Sequence, residues 1–367
     1  MSPFSALYFI KENKKRSILL IVMILLSFGV YIGGLYVTNL YDNWEPHMET
    51  YKKLVSVGVS GEDDVQYREF LDKMRNEGKV TIIELGKSNS MLWKTIMGFT
   101  TGYCTFTFQT VEDFKKFCDL LDVDCDFDGL KKGSMILSDK FAKNKGLSIG
   151  DKVDKDFESY EANILDEFVL DKVTTEDSYT QYYIGGEVEA SYEAILIGNN
   201  LEGEALYDYV NDVQENLDNP KDVYVYMGVE QNLAGQFDMF DLIYMFIAAM
   251  FSVILAITIN AAFVGMYQRR EFEFSVYRAI GISKKRIIGK IAGELILIDG
   301  IALAIGSIVT IVFLYLFNNL VLYPSGMYLR YFDKTAFLYM VICNMIIIVP
   351  LVITRCRQMF KTDICEY

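Results

Sequence analysis

The chain has 367 residues, of which 52% are apolar, and its mean hydropathy of +0.20 is too high for an ordinary soluble protein. At 23% charged residues it is also too polar to lie in a membrane throughout, so membrane spans joined to a soluble domain are expected. The net charge of −14 argues against nucleic acid as a partner, because phosphate binding needs a basic surface.

In chain order, residues 1–16 read as an amphipathic N-terminal segment that closes on Lys14-Lys15-Arg16. The 25 residues from Ser17 to Tyr41 contain no Asp, Glu, Lys or Arg, enough for a membrane helix, since about 20 residues cross the hydrocarbon. A cleaved signal peptide is the alternative. The apolar run is too long for one, however, and no small-x-small cleavage site follows before Asn43. Residues 42–240 read as a soluble α+β domain. Strands are expected at 54–59, 80–83, 103–108, 194–197 and 223–226 from β-rich or alternating runs, and helices at 64–76, 111–121 and 202–217 from helical spacing. Gly/Asp clusters near 126–133 and 150–160 read as loops that divide the domain into subdomains. A second span (241–268) follows, uncharged from Leu242 to Gln268, then a cytoplasmic helix (269–290) and a third span (291–317). An outer loop (318–334), a fourth span (335–354) with Pro350 near its end, and a tail (355–367) complete the chain. The fold class expected is an α-helical membrane protein with four transmembrane helices plus an inserted α+β extracytoplasmic domain between helices 1 and 2.

Basic residues beside the spans set the orientation. The N-terminal tail carries Lys11, Lys14, Lys15 and Arg16 against Glu12. The connection between spans two and three carries Arg269, Arg270, Arg278, Lys284, Lys285, Arg286 and Lys290 against Glu271 and Glu273, and the tail carries Arg355, Arg357 and Lys361 against Asp363 and Glu366. With four spans all three segments share one side, the cytoplasm. The stretch from Tyr41 to Asp241 holds 41 acidic and 19 basic residues and falls on the other side. A multi-pass plasma-membrane protein with both termini cytoplasmic is therefore expected.

Few residues suggest chemistry. Asp124-Cys-Asp126-Phe-Asp128-Gly129 opens like a calcium loop, but position twelve is Met135 where the loop needs a bidentate Glu, so a solvated turn is expected. Gly86-Lys87-Ser88 resembles the end of a P-loop, but Thr81 stands where that pattern needs Gly. His47 is the single histidine, and the six cysteines contain no C-x-x-C pair. Cys104, Cys118 and Cys125 lie in the acidic domain, where one disulfide such as Cys118–Cys125 is open but a framework is not. No enzyme activity, metal site or resident cofactor is expected. Glu294, four residues past Lys290, should pair locally near the interface. Asp299 lies deeper in span three, and apart from it, Asn260 and Asn344 no obvious polar pathway crosses the spans.

The connection Gln268-Arg-Arg-Glu-Phe-Glu-Phe-Ser-Val-Tyr-Arg-Ala-Ile-Gly281-Ile-Ser283 is the most informative stretch. Phe272, Val276, Ala279 and Ile280 fall on one face of a short helix, Gly281 is placed to end it, and Ser283 to cap the next. Arg269-Arg270-Glu271-Phe-Glu273…Arg278-Ala-Ile-Gly281-Ile-Ser283 with Glu294 resembles the signature of FtsX-like permeases, the membrane subunits of MacB-type ABC transporters. Leu137-Ser-Asp-Lys-Phe-Ala142…Lys145-Gly146-Leu-Ser-Ile-Gly150-Asp151-Lys-Val153 is similar to a segment of that family's outer domain. Lys361-Thr-Asp363-Ile364-Cys365 resembles its Asp-Pro-Ile tail, with Ile364 in place of Pro.

The resemblance implies a separate cytoplasmic ABC ATPase that carries ATP and Mg, and a second copy or homologous permease in a dimer. It further implies that Arg269, Arg270, Glu271, Phe272, Glu273, Val276, Arg278, Gly281 and Lys284 form the ATPase-coupling segment. Extensions of spans one and two, Val37–Tyr51 and Gln231–Asp241, would carry movement to the outer domain by mechanotransmission, for export of or resistance to peptides. The alternative is an FtsX-like signal transmitter that activates a cell-wall hydrolase or a sensor kinase. Asp299 departs from the family's small or apolar residue at that place.

Overall fold

The computed structural model describes residues 28–59, 64–95, 98–101, 105–157, 162–176, 179–185, 193–218, 220–226, 229–268 and 270–358, with Lys14, Ser17, Ile18, Ile21 and Leu25. Along the chain, α1 (Phe28–Tyr51), β1 (Leu54–Val59), α2 (Asp64–Glu77) and β2 (Val80–Glu84) come first. Then follow β3 (Ser90–Thr95), β4 (Gly98–Thr101), β5 (Thr105–Phe108), α3 (Val111–Leu121), β6 (Ser134–Ser138) and α4 (Asp139–Lys145). Next are β7 (Lys152–Val153), β8 (Ala162–Asn163), β9 (Phe168–Thr174), β10 (Gln181–Ile184), β11 (Glu193–Gly198), α5 (Gly203–Glu215) and β12 (Val223–Tyr226). The last four elements are α6 (Val229–Gln268), α7 (Glu271–Ala279), α8 (Lys284–Phe317) and α9 (Lys334–Gln358).

These elements fall into two compact units. The first comprises 1–39, 239–317 and 329–367, and the second 40–238 with 318–328.

The first unit is helical. Three helical stretches among the described residues, Met239–Val264, Lys284–Ser325 and Lys334–Arg357, are long and apolar enough to cross a membrane. The expected first span (17–41) lies partly outside the described residues, and its described part runs into α1. Leu242, Phe246, Ile257, Ile308 and Leu338 are more than half exposed on α6, α8 and α9. Exposed apolar surface on this scale would be a liability in water, whereas lipid solvates it. Inward, Leu255, Ile259 and Phe263 of α6 meet Ile287, Ile291, Leu295, Ile298 and Ala302 of α8, and Ile347 and Leu351 of α9. The three- and four-residue steps along α8 keep these residues on one face. α9 continues past the expected end of the fourth span, and Arg355, expected in the tail, is 1% exposed within it.

The second unit contains three sheets. β1-α2-β2 and β11-α5-β12 form an antiparallel sheet of order β12-β1-β11-β2, the split βαβ arrangement of ferredoxin-like folds. Central β11 is covered on both faces. Ala194 and Leu196 pack with Phe70, Leu71 and Met74 of α2 and Leu206 and Val210 of α5. Ile195 and Ile197 pack with Phe106 and Phe108 of β5 and Phe114 and Phe117 of α3. That double burial is why the strand reads as a continuous apolar run.

Between β2 and β11 the chain inserts a mixed sheet of order β5-β10-β6-β9-β7 and a small antiparallel sheet of order β4-β3-β8. The expected strands at 54–59, 80–83, 194–197 and 223–226 and the helices at 64–76, 111–121 and 202–217 are all present within a residue or two. The expected strand at 103–108 is described from Thr105 onward.

Candidate functional site

The candidate site is the connection between α6 and α8. α6 ends at Gln268, and Arg270 carries the turn into α7, its carbonyl accepting the Phe274 N–H at 3.1 Å. α7 stops at Gly281, whose φ of +82° lies in the left-handed region, and the Gly281 and Ile282 N–H groups donate to the carbonyls of Arg278 and Tyr277 at 3.0 Å. A Cβ at Gly281 would meet nothing within 4 Å, so backbone strain alone favours glycine there. α8 then begins at Lys284, with the Arg286 and Ile287 N–H groups donating to the Ser283 carbonyl.

Arg270 ties the three segments together. Its guanidinium donates Nε to Glu273 Oε2 at 2.8 Å and Nη1 to Glu294 Oε2 at 2.7 Å, with longer Nη2 bonds to both carboxylates. Lys290 Nζ stands 3.5 Å from Glu294 and 3.7 Å from Glu273, and the Tyr277 hydroxyl donates to Glu273 Oε1 at 2.9 Å. The Glu294 side chain is wholly buried and that of Lys290 nearly so. Among the described residues two cations and two anions meet here, and buried charge is tolerated when it is paired in this way. Burial pushes Glu273 upward, but the hydrogen bonds and charge of Arg270 outweigh it and hold this carboxyl below its ordinary value. Burial and the bond to Glu273 raise the Tyr277 hydroxyl to about 12. Phe274, 2% exposed, inserts into the core of the helical unit and lies under the Arg270 guanidinium, 4.9 Å from its ring centroid.

The opposite face of α7 is bare. Phe272 is 68% exposed, Val276 40% and Ile280, just past the helix, 68%. The expected apolar face is therefore present, but it points away from the core and Phe274 provides the anchor. Lys284, Lys285 and Arg286 are exposed beside it, and Arg278 is half-buried in the last turn. Arg269 and the Glu271 side chain lie outside the described residues.

The expected local pairing of Glu294 with Lys290 is present, and Arg270, 24 positions upstream, is the additional partner. Within the spans, Asn344 Nδ2 donates to Asp299 Oδ2 at 3.2 Å and joins α9 to α8. Asn260 accepts from Arg355 at its carbonyl (3.0 Å) and its side-chain oxygen, joining α6 to α9. The structure thus gathers Arg270 and Glu273 with Glu294, but leaves Asp299 and Asn260 in two separate interhelical clasps. Tyr277 and Phe274 were not singled out from the sequence, and Arg355 was read only as a basic residue of the tail. The i, i+4 spacing of Glu273 with Tyr277 was the available signal for one of them.

Elsewhere the weak motifs resolve into local structure. Asp126 Oδ1 accepts the Asp128 N–H at 3.0 Å, closing a turn, and Asp126 pairs with Lys172. No metal-binding cluster occurs among the described residues. Cys118 and Cys125 are unbridged, burial pushes the Cys125 thiol up to about 11, and Cys104 lies outside the described residues. In the 137–153 segment Ser138 caps α4 by accepting the Phe141 N–H at 3.2 Å, and Asp151 accepts the Ser148 N–H at 2.8 Å. The tail at 361–365 lies outside the described residues.

The chain has no match among the curated proteins compared with it. Residues 245–356, which hold α7, the ion cluster and both interhelical clasps, match the family model described as FtsX-like permease C-terminal, so this part of the chain is similar to FtsX-like permeases.

Proposed function

We propose that the chain is the membrane subunit of an ABC-type transporter and that α7 is where a separate cytoplasmic ATPase docks. FtsX-like permeases generally work with such a partner, which would bring the ATP and Mg. The observation that carries the reading is the two-sidedness of α7. One face is locked to α8 through Arg270, Glu294 and Phe274, while Phe272, Val276 and Ile280 are presented outward beside exposed Lys284, Lys285 and Arg286. An interface needs an apolar anchor with a polar rim, and the lock makes any push on α7 a push on α8.

Sidedness is supported by parity. One crossing by α6 and a return by α8 would put the acidic stretch that leads into α6 and residues 318–333 on one side, with the basic connection on the other. Residues 318–328 fold into the same compact unit as the sheets, which that arrangement requires. By the positive-inside rule the basic side is the cytoplasm, so the acidic domain is extracytoplasmic.

From there the proposal extends to MacB-like mechanotransmission in a dimer, with a peptide as cargo of the outer domain. Phe272→Glu and Val276→Glu should abolish co-purification with the cognate ATPase while leaving the melting temperature of the chain unchanged. Survival of the complex in both variants would remove α7 as the docking element. If cationic peptides fail to stimulate ATP hydrolysis by the intact complex while the outer domain captures a cell-wall hydrolase, the role is signal transmission and not transport.

A further inference from the structure

α8 does not end in a simple loop. Its apolar stretch extends through a π-helical turn (Asn318–Leu322) and a 3-10 turn (Tyr323–Ser325), so that Lys284–Ser325 reads as one candidate span. Tyr323 falls where that apolar stretch closes, and tyrosine is favoured at the headgroup depth where an apolar stretch leaves the membrane.

The segment that emerges there is fastened to the sheet-bearing unit of which it is part. Asn144 Nδ2 donates to the Ser325 carbonyl at 3.0 Å, and the Tyr179 hydroxyl donates to the Gly326 carbonyl at 2.8 Å. Tyr179 is 1% exposed and stacks on Trp93 with centroids 4.1 Å apart. Gly326 has a φ of +64°, and a Cβ there would overlap the Lys140 carbonyl oxygen, so only glycine allows this approach.

The docking leaves a cavity of about 330 Å³ lined by Asp139, Lys140, Lys143, Tyr323, Met327 and Tyr328. That volume is at the lower end for small-molecule sites. The two tyrosine rings stack with centroids 5.5 Å apart and planes 14° from parallel. Lys143 meets Asp139 at 2.5 Å, but this pair is more than half exposed and is readily exchanged for a better partner.

We infer that this pocket binds the headgroup of a zwitterionic phospholipid from the membrane the chain spans. Lys140 and Lys143 match a phosphodiester, while Asp139 and the electron-rich tyrosine faces match an ammonium group. The background charge argues for a lipid over a soluble anion. The stretch from Tyr41 to Asp241 carries 41 acids against 19 bases, a field that repels free phosphate. A bilayer instead offers its headgroups at high local concentration to a segment that directly continues a crossing helix, as 318–328 does. The paired lysines equally oppose a cationic peptide. The inference rests on α8 crossing the membrane and is independent of the ATPase.

The test is native mass spectrometry of the full chain purified in mild detergent and titrated with phosphatidylethanolamine. Wild type should retain one lipid that the Lys140→Glu/Lys143→Glu double variant loses at least tenfold. Tyr323→Ser, which keeps both lysines, should weaken retention severalfold and covers the case in which the double variant misfolds, with thermal melting as the folding control. Equal retention by wild type and variants would overturn the site. Displacement of the lipid by inorganic phosphate would reassign it to a free anion, and tighter retention of phosphatidylglycerol would overturn the zwitterionic assignment. Displacement by a cationic peptide would also overturn it.

Discussion

The two units bury carboxyl groups by opposite means. In the helical unit Glu294 is neutralised by cations, Arg270 at 2.7 Å and Lys290 at 3.5 Å. In the sheet-bearing unit Glu176 is surrounded by hydroxyls. It accepts from Thr180 at 2.6 Å, from Tyr182 at 3.0 Å and from Thr174 at 3.3 Å, and Tyr182 meets the Tyr51 hydroxyl at 2.8 Å. The hydroxyl donors to Glu176 come from its own loop and flanking strands, so that carboxyl stitches a turn to its neighbours. The cations of Glu294 come from a different segment and from its own helix, so that carboxyl joins α7 to α8. Burial raises Glu176 above the usual carboxylate range despite its hydrogen bonds, whereas Glu273 of the cation cluster sits below it.

The largest expected break in this contrast is Glu294→Ala, which removes from Arg270 and Lys290 the buried carboxylate between them and leaves the half-exposed Glu273. Removing one partner of a buried pair costs about 3–5 kcal/mol. Hydrogen exchange on the intact chain should show protection lost across 271–294 and unchanged in the sheets. Glu176→Ala should cost less, roughly 1–3 kcal/mol, because the stranded donors are neutral hydroxyls. Its faster exchange should be confined to 174–184.

Acid should then drive the two sites apart. The depressed Glu273 contributes stability that is present above its unfolded value of about 4.3 and lost as pH falls through the lower folded value. The raised Glu176 contributes stability that is present below about 4.3 and lost as pH rises through its raised folded value. Exchange corrected for intrinsic rate should therefore slow at 174–184 on acidification from neutral pH, while α7 loosens only below the carboxylate range. A common direction at both sites would refute the contrast. The smallest effect belongs to Tyr277→Phe, which removes one neutral donor from Glu273 and should cost about 1 kcal/mol in the melting of α7.

Much of this was legible in the sequence, and the exceptions share a cause. β1, β12 and α3 match their expected limits because each carries its own periodic pattern or cap, such as Thr110 accepting the Asp113 N–H ahead of α3. β9 was not foreseen, because Asp171 and Lys172 interrupt it. The structure resolves both charges across space. Asp171 falls where the register slips between β6 and β9 and accepts the Ser134 hydroxyl, while Lys172 pairs with Asp126. Residues 318–328 read as a plain outer loop because their partners, Asn144 and Tyr179, lie more than a hundred positions away. In the candidate site, the helix and its Gly281 stop were local and visible. The Arg270–Glu294 pair needs the turn between α7 and α8 to bring the residues together, and no spacing rule reports that.

α6 runs unbroken for 40 residues and contains no proline. At 1.5 Å per residue that is about 60 Å, against roughly 30 Å of bilayer hydrocarbon. The apolar window Met239–Val264 accounts for about 39 Å of that length, and the ten residues 229–238 extend the helix beyond it by about 15 Å. A tilt of about 10° at the membrane surface would sweep the end of that extension sideways by about 3 Å, roughly half a helical pitch. For a helix without a break, the sideways displacement of an end per degree of tilt is set by its length alone.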